Sequence, residues 1–166
     1  VDAPGVGYKV GYLALGGSDL SAKIGTFTPT AGTGTKTVTG VGFTPSAVIL
    51  SSTNSTMDAT NSPAGDAIVT LGFGAGAASA SISGQDVDAQ GTSVARSENS
   101  NQTFDAESTG GTGTARRMTL TAFTSDGFTL NQDLAPTTPR PIWYVALGGI
   151  QANAGSVQLA TGAGTT

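Results

Sequence analysis

Apolar positions along this chain come in short bursts, and most of them alternate with Thr, Ser or Gly rather than recurring at helical spacing. Two runs differ in being almost continuously apolar: residues 10–15 and 142–147, each closed by Gly-Gly. Such runs predict strands buried on both faces. Pro139 and Pro141 precede the second run, where a strand tolerates a missing N–H. Residues 23–28 set Ile24, Thr26 and Thr28 against Lys23, Gly25 and Phe27, and a Pro and Gly stretch over 29–34 breaks the pattern. Alternation resumes over 36–41, where Val38 stands among threonines, and residues 47–50 (Ala-Val-Ile-Leu) predict a core strand. The Ser, Thr and Asn of 51–65 predict a loop, and residues 67–73 another buried strand. Gly74 and Gly76 after it suggest a bend or close backbone packing.

From 75 to 115 the signal weakens into small and polar residues, with short strands predicted at 79–83, 92–96 and 102–106 in poorly specified register. Residues 117–123 alternate again. Ser125-Asp126-Gly127 then predicts a hairpin turn, because Asp-Gly tolerates the positive φ that such turns need, and Phe128-Thr129-Leu130 begins the return strand. No window carries an i, i+3, i+4 apolar stripe. The fold class read from this pattern is all-β, an antiparallel β-sandwich of jelly-roll type with little or no helix.

The two continuous runs share a phrase. Gly11-Tyr12-Leu13-Ala14-Leu15-Gly16-Gly17 and Trp143-Tyr144-Val145-Ala146-Leu147-Gly148-Gly149 place their tyrosines 132 positions apart. That period is the size of a domain, too long for one turn of a solenoid. The expected organisation is a sandwich over 23–149, preceded by a segment (1–22) like the closing strand of a preceding unit. A segment (150–166) like the start of a following unit comes after it.

Composition narrows the chemistry. The 166 residues contain no Cys and no His, which removes disulfides, thiol nucleophiles, the commonest general base and the commonest transition-metal ligand. Charged residues make up 11% and 25 residues are Gly, while the apolar share of 37% is too high for a disordered tail. Net charge is −4 and the basic residues are scattered, only Arg116 and Arg117 being adjacent, so no nucleic-acid footprint is expected. No apolar run reaches the ~18 residues of a membrane span. No cofactor is implied.

Two stretches carry a family resemblance. Ile24-Gly25-Thr26-Phe27-Thr28-Pro29 leading to Val38-Thr39-Gly40-Val41-Gly42-Phe43-Thr44-Pro45-Ser46-Ala47-Val48-Ile49-Leu50 resembles the opening of a repeated β-module of tailed-bacteriophage and prophage virion structural proteins. Phe123-Thr124-Ser125-Asp126-Gly127-Phe128-Thr129-Leu130, followed by Ile142-Trp143-Tyr144-Val145-Ala146-Leu147-Gly148-Gly149, resembles its close. The middle is unmatched. The resemblance implies a virion location and a structural, non-enzymatic role as a head decoration or fibre protein, or in a tail fibre. The partners it implies are further copies of the chain and other virion proteins. The motif residues themselves read as scaffold: Phe43, Val48 and Leu50 in the core, Gly40, Gly42 and Gly127 in turns, and Tyr144 with a buried ring and a bonded hydroxyl.

Three side chains are candidates for recognition. Trp143, the single tryptophan, could stack on a sugar ring, but its alternation with Val145 and Leu147 favours core packing or a contact between subunits. Asp86 and Asp88 fall on one side of an extended segment, with Glu98, Asp105 and Glu107 near in sequence. Paired carboxylates suit glycoside cleavage, and clustered oxygens suit calcium, but solvated loop charge is the plainer reading. The competing functional reading is an adhesin or carbohydrate-binding module that recognises a host surface glycan through loops at one end of the sandwich.

Overall fold

The computed structural model describes residues 12, 14–53, 67–86, 94–99, 101–107 and 114–154, with the side chains of 67, 86, 94–99 and 107 left aside. Ten strands lie among them: β1 (Ser21–Phe27), β2 (Gly34–Val38), β3 (Ala47–Thr53), β4 (Ala67–Ala75), β5 (Ala78–Asp86), β6 (Val94–Asn99), β7 (Phe104–Glu107), β8 (Thr114–Thr124), β9 (Gly127–Leu134) and β10 (Ile142–Gly148). No helix occurs among the described residues. One sheet runs β1-β10-β3-β4-β5-β6 and the other β2-β9-β8-β7, with every pairing antiparallel. First strands pair with last, β1 with β10 and β2 with β9, while β3 to β6 form a meander. The molecule is a β-sandwich, as the alternation predicts.

The core follows from period two. Val48 and Leu50 of β3, Ile142, Tyr144 and Ala146 of β10, Met118 and Leu120 of β8 and Phe128 and Leu130 of β9 meet in one buried cluster between the sheets. Phe128 contacts Phe27 and Tyr144 edge-on, with centroids 6.2 and 5.3 Å away. This geometry suits ring quadrupoles. The Tyr144 ring is buried as expected, and among the described residues no group hydrogen-bonds its hydroxyl. Toward β5 the interior turns small and polar. Gly72 lets the backbone of Thr103 in so closely that a Cβ there would stand 1.9 Å from the Thr103 carbonyl oxygen. Thr103 Oγ1 bonds the Ser79 hydroxyl (2.8 Å) and accepts the Leu120 N–H (2.7 Å).

The two poles of the sandwich differ. At the near pole, the ends of the predicted Asp-Gly hairpin hold the β2–β3 connection: the Asp126 carboxylate accepts the N–H of Gly40 (2.9 Å) and of Gly42 (2.7 Å), and its carbonyl accepts that of Val41 (3.1 Å). These bonds hold the carboxyl below the ordinary carboxylate pKa. Leu20 and Gly149, where the flanking segments join the sandwich, lie at this same pole. At the far pole are the strand ends joined by the connections 28–33, 54–66, 87–93, 108–113 and 135–141, of which 54–66 is the longest in the chain.

Two expectations are corrected. Tyr12, Ala14 and Leu15 are not a buried strand: they are irregular, with Tyr12 90% and Leu15 51% exposed, while Val10, Gly11 and Leu13 lie outside the described residues. The place their sequence suits is already filled, since β10 occupies the position between β1 and β3. Likewise β10 is not buried on both faces. Trp143 is 49% exposed and is no core residue, because Ile142, Tyr144 and Ala146 take the inward positions and leave Trp143, Val145 and Leu147 outward.

Candidate functional site

The outward face of the six-stranded sheet is apolar along successive rows of paired residues. Register aligns Ile24, Val145, Ile49, Phe73 and Ala80 across β1, β10, β3, β4 and β5. The next row is Thr26, Trp143, Ser51, Leu71 and Ile82, and beyond it Val69 stands opposite Thr53. Ile24, Val69, Ile82 and Trp143 are 68%, 57%, 54% and 49% exposed. Across these five strands the rows hold no Asp, Glu, Lys or Arg; at the β6 edge Glu98 stands opposite Ile82. At the near-pole end the face is covered: Ala47, Ala75 and Leu147 are buried beneath Leu20, Ile150 and Ala154 from the flanking segments, and Ala80 on β5 is buried as well.

The outward face of the other sheet is built differently. There Thr119 donates or shares hydrogen bonds with Gln102 Oε1 (2.6 Å) and Asp133 Oδ2 (2.7 Å), and Asn131 donates to Asp133 Oδ1. Thr121 Oγ1 donates to the Thr129 carbonyl (3.0 Å), and Arg117 pairs with Asp105 at 3.3 Å. A face satisfied by its own polar network is stable in water. An apolar face across five strands, by contrast, leaves its side chains without partners on the sheet itself.

At the far pole the interior is polar. Arg116 and Arg117 point to opposite sides of β8, so their adjacency in sequence makes no basic patch. The buried guanidinium of Arg116 donates to Ser52 Oγ (2.9 Å) and to the Arg140 carbonyl (3.4 Å), and its carbon lies 5.7 Å from the Phe104 ring centroid. Burial, and then the neighbouring charge of Arg140, push Arg116 down to about 10. Neither arginine is bonded to a carboxylate among the described residues. The buried amide of Gln132 anchors the β1–β2 loop, with Nε2 donating to the Thr30 carbonyl (2.8 Å) and Oε1 accepting the Thr30 N–H (3.2 Å). Pattern reading missed both residues. A lone Arg or Gln at an inward position of an alternating strand is the signal that could have found them.

The predicted site residues do not converge. Asp86 ends β5 opposite Ala67, four residues along β4 from the Leu71 row that contains Trp143, three strands away. Strand geometry then separates the two backbones by about 20 Å. Asp88 lies outside the described residues, as do the side chains of Asp86, Glu98 and Glu107. Asp105 is paired with Arg117, Asp126 with backbone N–H groups and Asp133 with Thr119 and Asn131. No cluster of three acidic side chains able to hold a metal occurs among the described residues.

No protein-family model, curated protein or solved structure matches the chain.

Proposed function

We propose that this chain is a bacteriophage virion structural module, on the particle surface as a head decoration or fibre or in a tail fibre, acting by burial of surface against further copies and other virion proteins. The observation that carries the assembly reading is the contrast between the two outer faces, one polar and self-bonded, the other apolar across five of its six strands. Strand and row spacings make the open patch roughly 24 by 20 Å, on the order of 500 Å² in projection. Two such faces closing on each other bury on the order of 1,000 Å², the lower bound for specific association. Such a contact is weak between free molecules and effective between copies held close together on a particle. The virion location rests on the resemblance of the opening and closing motifs. Antibody raised against the chain, used in immunogold imaging of purified particles, is expected to label them at regular positions. Particles free of the chain would overturn the reading.

A second reading, recognition of a host glycan, is favoured by one observation: Arg116 and Arg140 bring two positive charges together at the pole that bears the long connections. A carboxylate- or sulfate-bearing sugar would supply the missing negative charge. Glycan-array binding restricted to acidic glycans and lost in Arg140→Gln is the expected result on this reading. Equal binding to neutral glycans, or none at all, contradicts it.

A further inference from the structure

The phrase repeated at residues 12–17 matches β10 at each place where β10 is sterically constrained. In β10 the Tyr144 ring lies over Gly25, so closely that a Cβ on Gly25 would stand 2.5 Å from it. Ala146 is fully buried and Leu147 is buried in the outer cluster. A Cβ on Gly148 would stand 2.7 Å from the Phe43 ring, and one on Gly149, at φ +71°, 1.7 Å from the Asp19 carbonyl oxygen. Tyr12, Ala14, Leu15, Gly16 and Gly17 repeat these five residues in order, with Leu13 in place of Val145. Yet nothing around them asks for that set. Tyr12 and Leu15 are exposed, and a Cβ on Gly16 or Gly17 would meet nothing within 4 Å.

We propose that residues 12–17 are a second closing strand, shaped for the slot between β1 and β3 of another copy of this chain. In that slot Tyr12 takes the place of Tyr144 over Gly25 and edge-on to Phe128, Leu15 joins the Ala47 and Ala75 cluster, and Gly16 passes beneath Phe43. The slot offers two ladders of backbone hydrogen bonds, one to β1 and one to β3. Simple addition at an open sheet edge fits less well. Of the four edge strands, β1 and β2 carry Lys23 and Lys36 at inward register positions, a common device against edge pairing. Exchange of two strands with the same residues loses and gains similar contacts, so it costs little at equilibrium. Because the donated strand and the accepting slot are different surfaces, the contact is heterologous and propagates from copy to copy. The inference deepens the assembly reading and rests on it for the partner, but the residues it turns on, Tyr144 and Gly148, lie outside the rows of the open apolar face, while exchange of β10 would carry Val145 and Trp143 out of that face.

The test disables the resident strand in the full chain with Tyr144→Ala and Gly148→Val. Expected is a folded chain that sediments as dimers and longer species, and that loses both near-ultraviolet circular dichroism and assembly when Tyr12→Ala and Gly16→Val are added. Should the disabled chain be unfolded alone, an excess of a synthetic peptide spanning residues 10–20 is expected to restore the wild-type near-ultraviolet signal. A peptide with the Tyr12 and Gly16 changes is expected not to. The proposal is overturned if the changes at 12 and 16 make no difference and the peptide restores nothing. Either result leaves the open face to be judged separately, from variants of Val69 and Ile82 on β4 and β5, outside the slot.

Discussion

Asp126 stabilises the near pole only as an anion, since both of its oxygens accept backbone N–H groups. Its folded pKa lies below the unfolded value. Its contribution is therefore fully present above the ordinary carboxylate pKa of about 4 and is lost as pH falls through the depressed folded value. Asp126→Ala is expected to lower the urea midpoint at pH 7, and the gap to wild type should shrink toward pH 2. Tyr144 packs its ring into the core against Phe128. Tyr144→Ala should cost about 3–5 kcal/mol, as loss of a buried aromatic ring does, and Tyr144→Phe less than about 1 kcal/mol. Arg116 carries a buried charge beside a like charge, a cost that its two bonds to neutral oxygens only partly offset. Chemical denaturation of Arg116→Met should give a stability equal to or above that of wild type, whereas a large loss would mean that the Ser52 bond dominates.

At the level of the strands, the sandwich depends on two places where backbone meets backbone. Gly72→Ala pushes a Cβ into the Thr103 carbonyl and is expected to destabilise by at least 1–3 kcal/mol, the range seen on overfilling a packed interior. At Gly84 in β5 a Cβ would meet nothing within 4 Å. Gly84→Ala should be neutral or gain up to about 1 kcal/mol, and thermal melts of the pair would separate the two cases. Period-two alternation made the sheet class, the Asp-Gly hairpin and the strands around 47–50, 67–73 and 117–123 legible. It could not orient β10, where Ile142, Tyr144 and Ala146 compete with Trp143, Val145 and Leu147 and both sets are apolar. For the same reason residues 10–15 read as a strand. A sequence states what a segment can pair with, and the sheet decides whether a place is free. Arg116 was illegible for a third reason: its inward direction depends on register, and the scatter of basic residues said nothing about depth.

Across the whole molecule, polarity is distributed by face and by pole. One sheet turns a bonded polar surface outward, and the other an apolar one crossed by Ile24, Trp143, Val69 and Ile82. The flanking segments meet at the near pole, and five connections, the 54–66 stretch among them, leave from the far one. A copy held by its flanking segments would thus present the far pole outward, where Arg116 and Arg140 lie. The apolar face would then stand beside its neighbours. The sequence held the residues of this face but not their alignment, which comes from pairing between strands more than 110 positions apart in the chain, as for Ile24 with Val145 and Thr26 with Trp143, 121 and 117 positions apart.

The central claim, that the open face of the six-stranded sheet is an assembly surface, is tested most directly by sedimentation equilibrium of the full chain over a wide concentration range beside Ile24→Lys and Trp143→Lys. The account predicts reversible, concentration-dependent association of the wild type, weakened at least tenfold by either lysine with the near-ultraviolet spectrum otherwise retained. A wild type that stays monomeric up to millimolar concentration, or that associates equally well with lysines on this face, would contradict it.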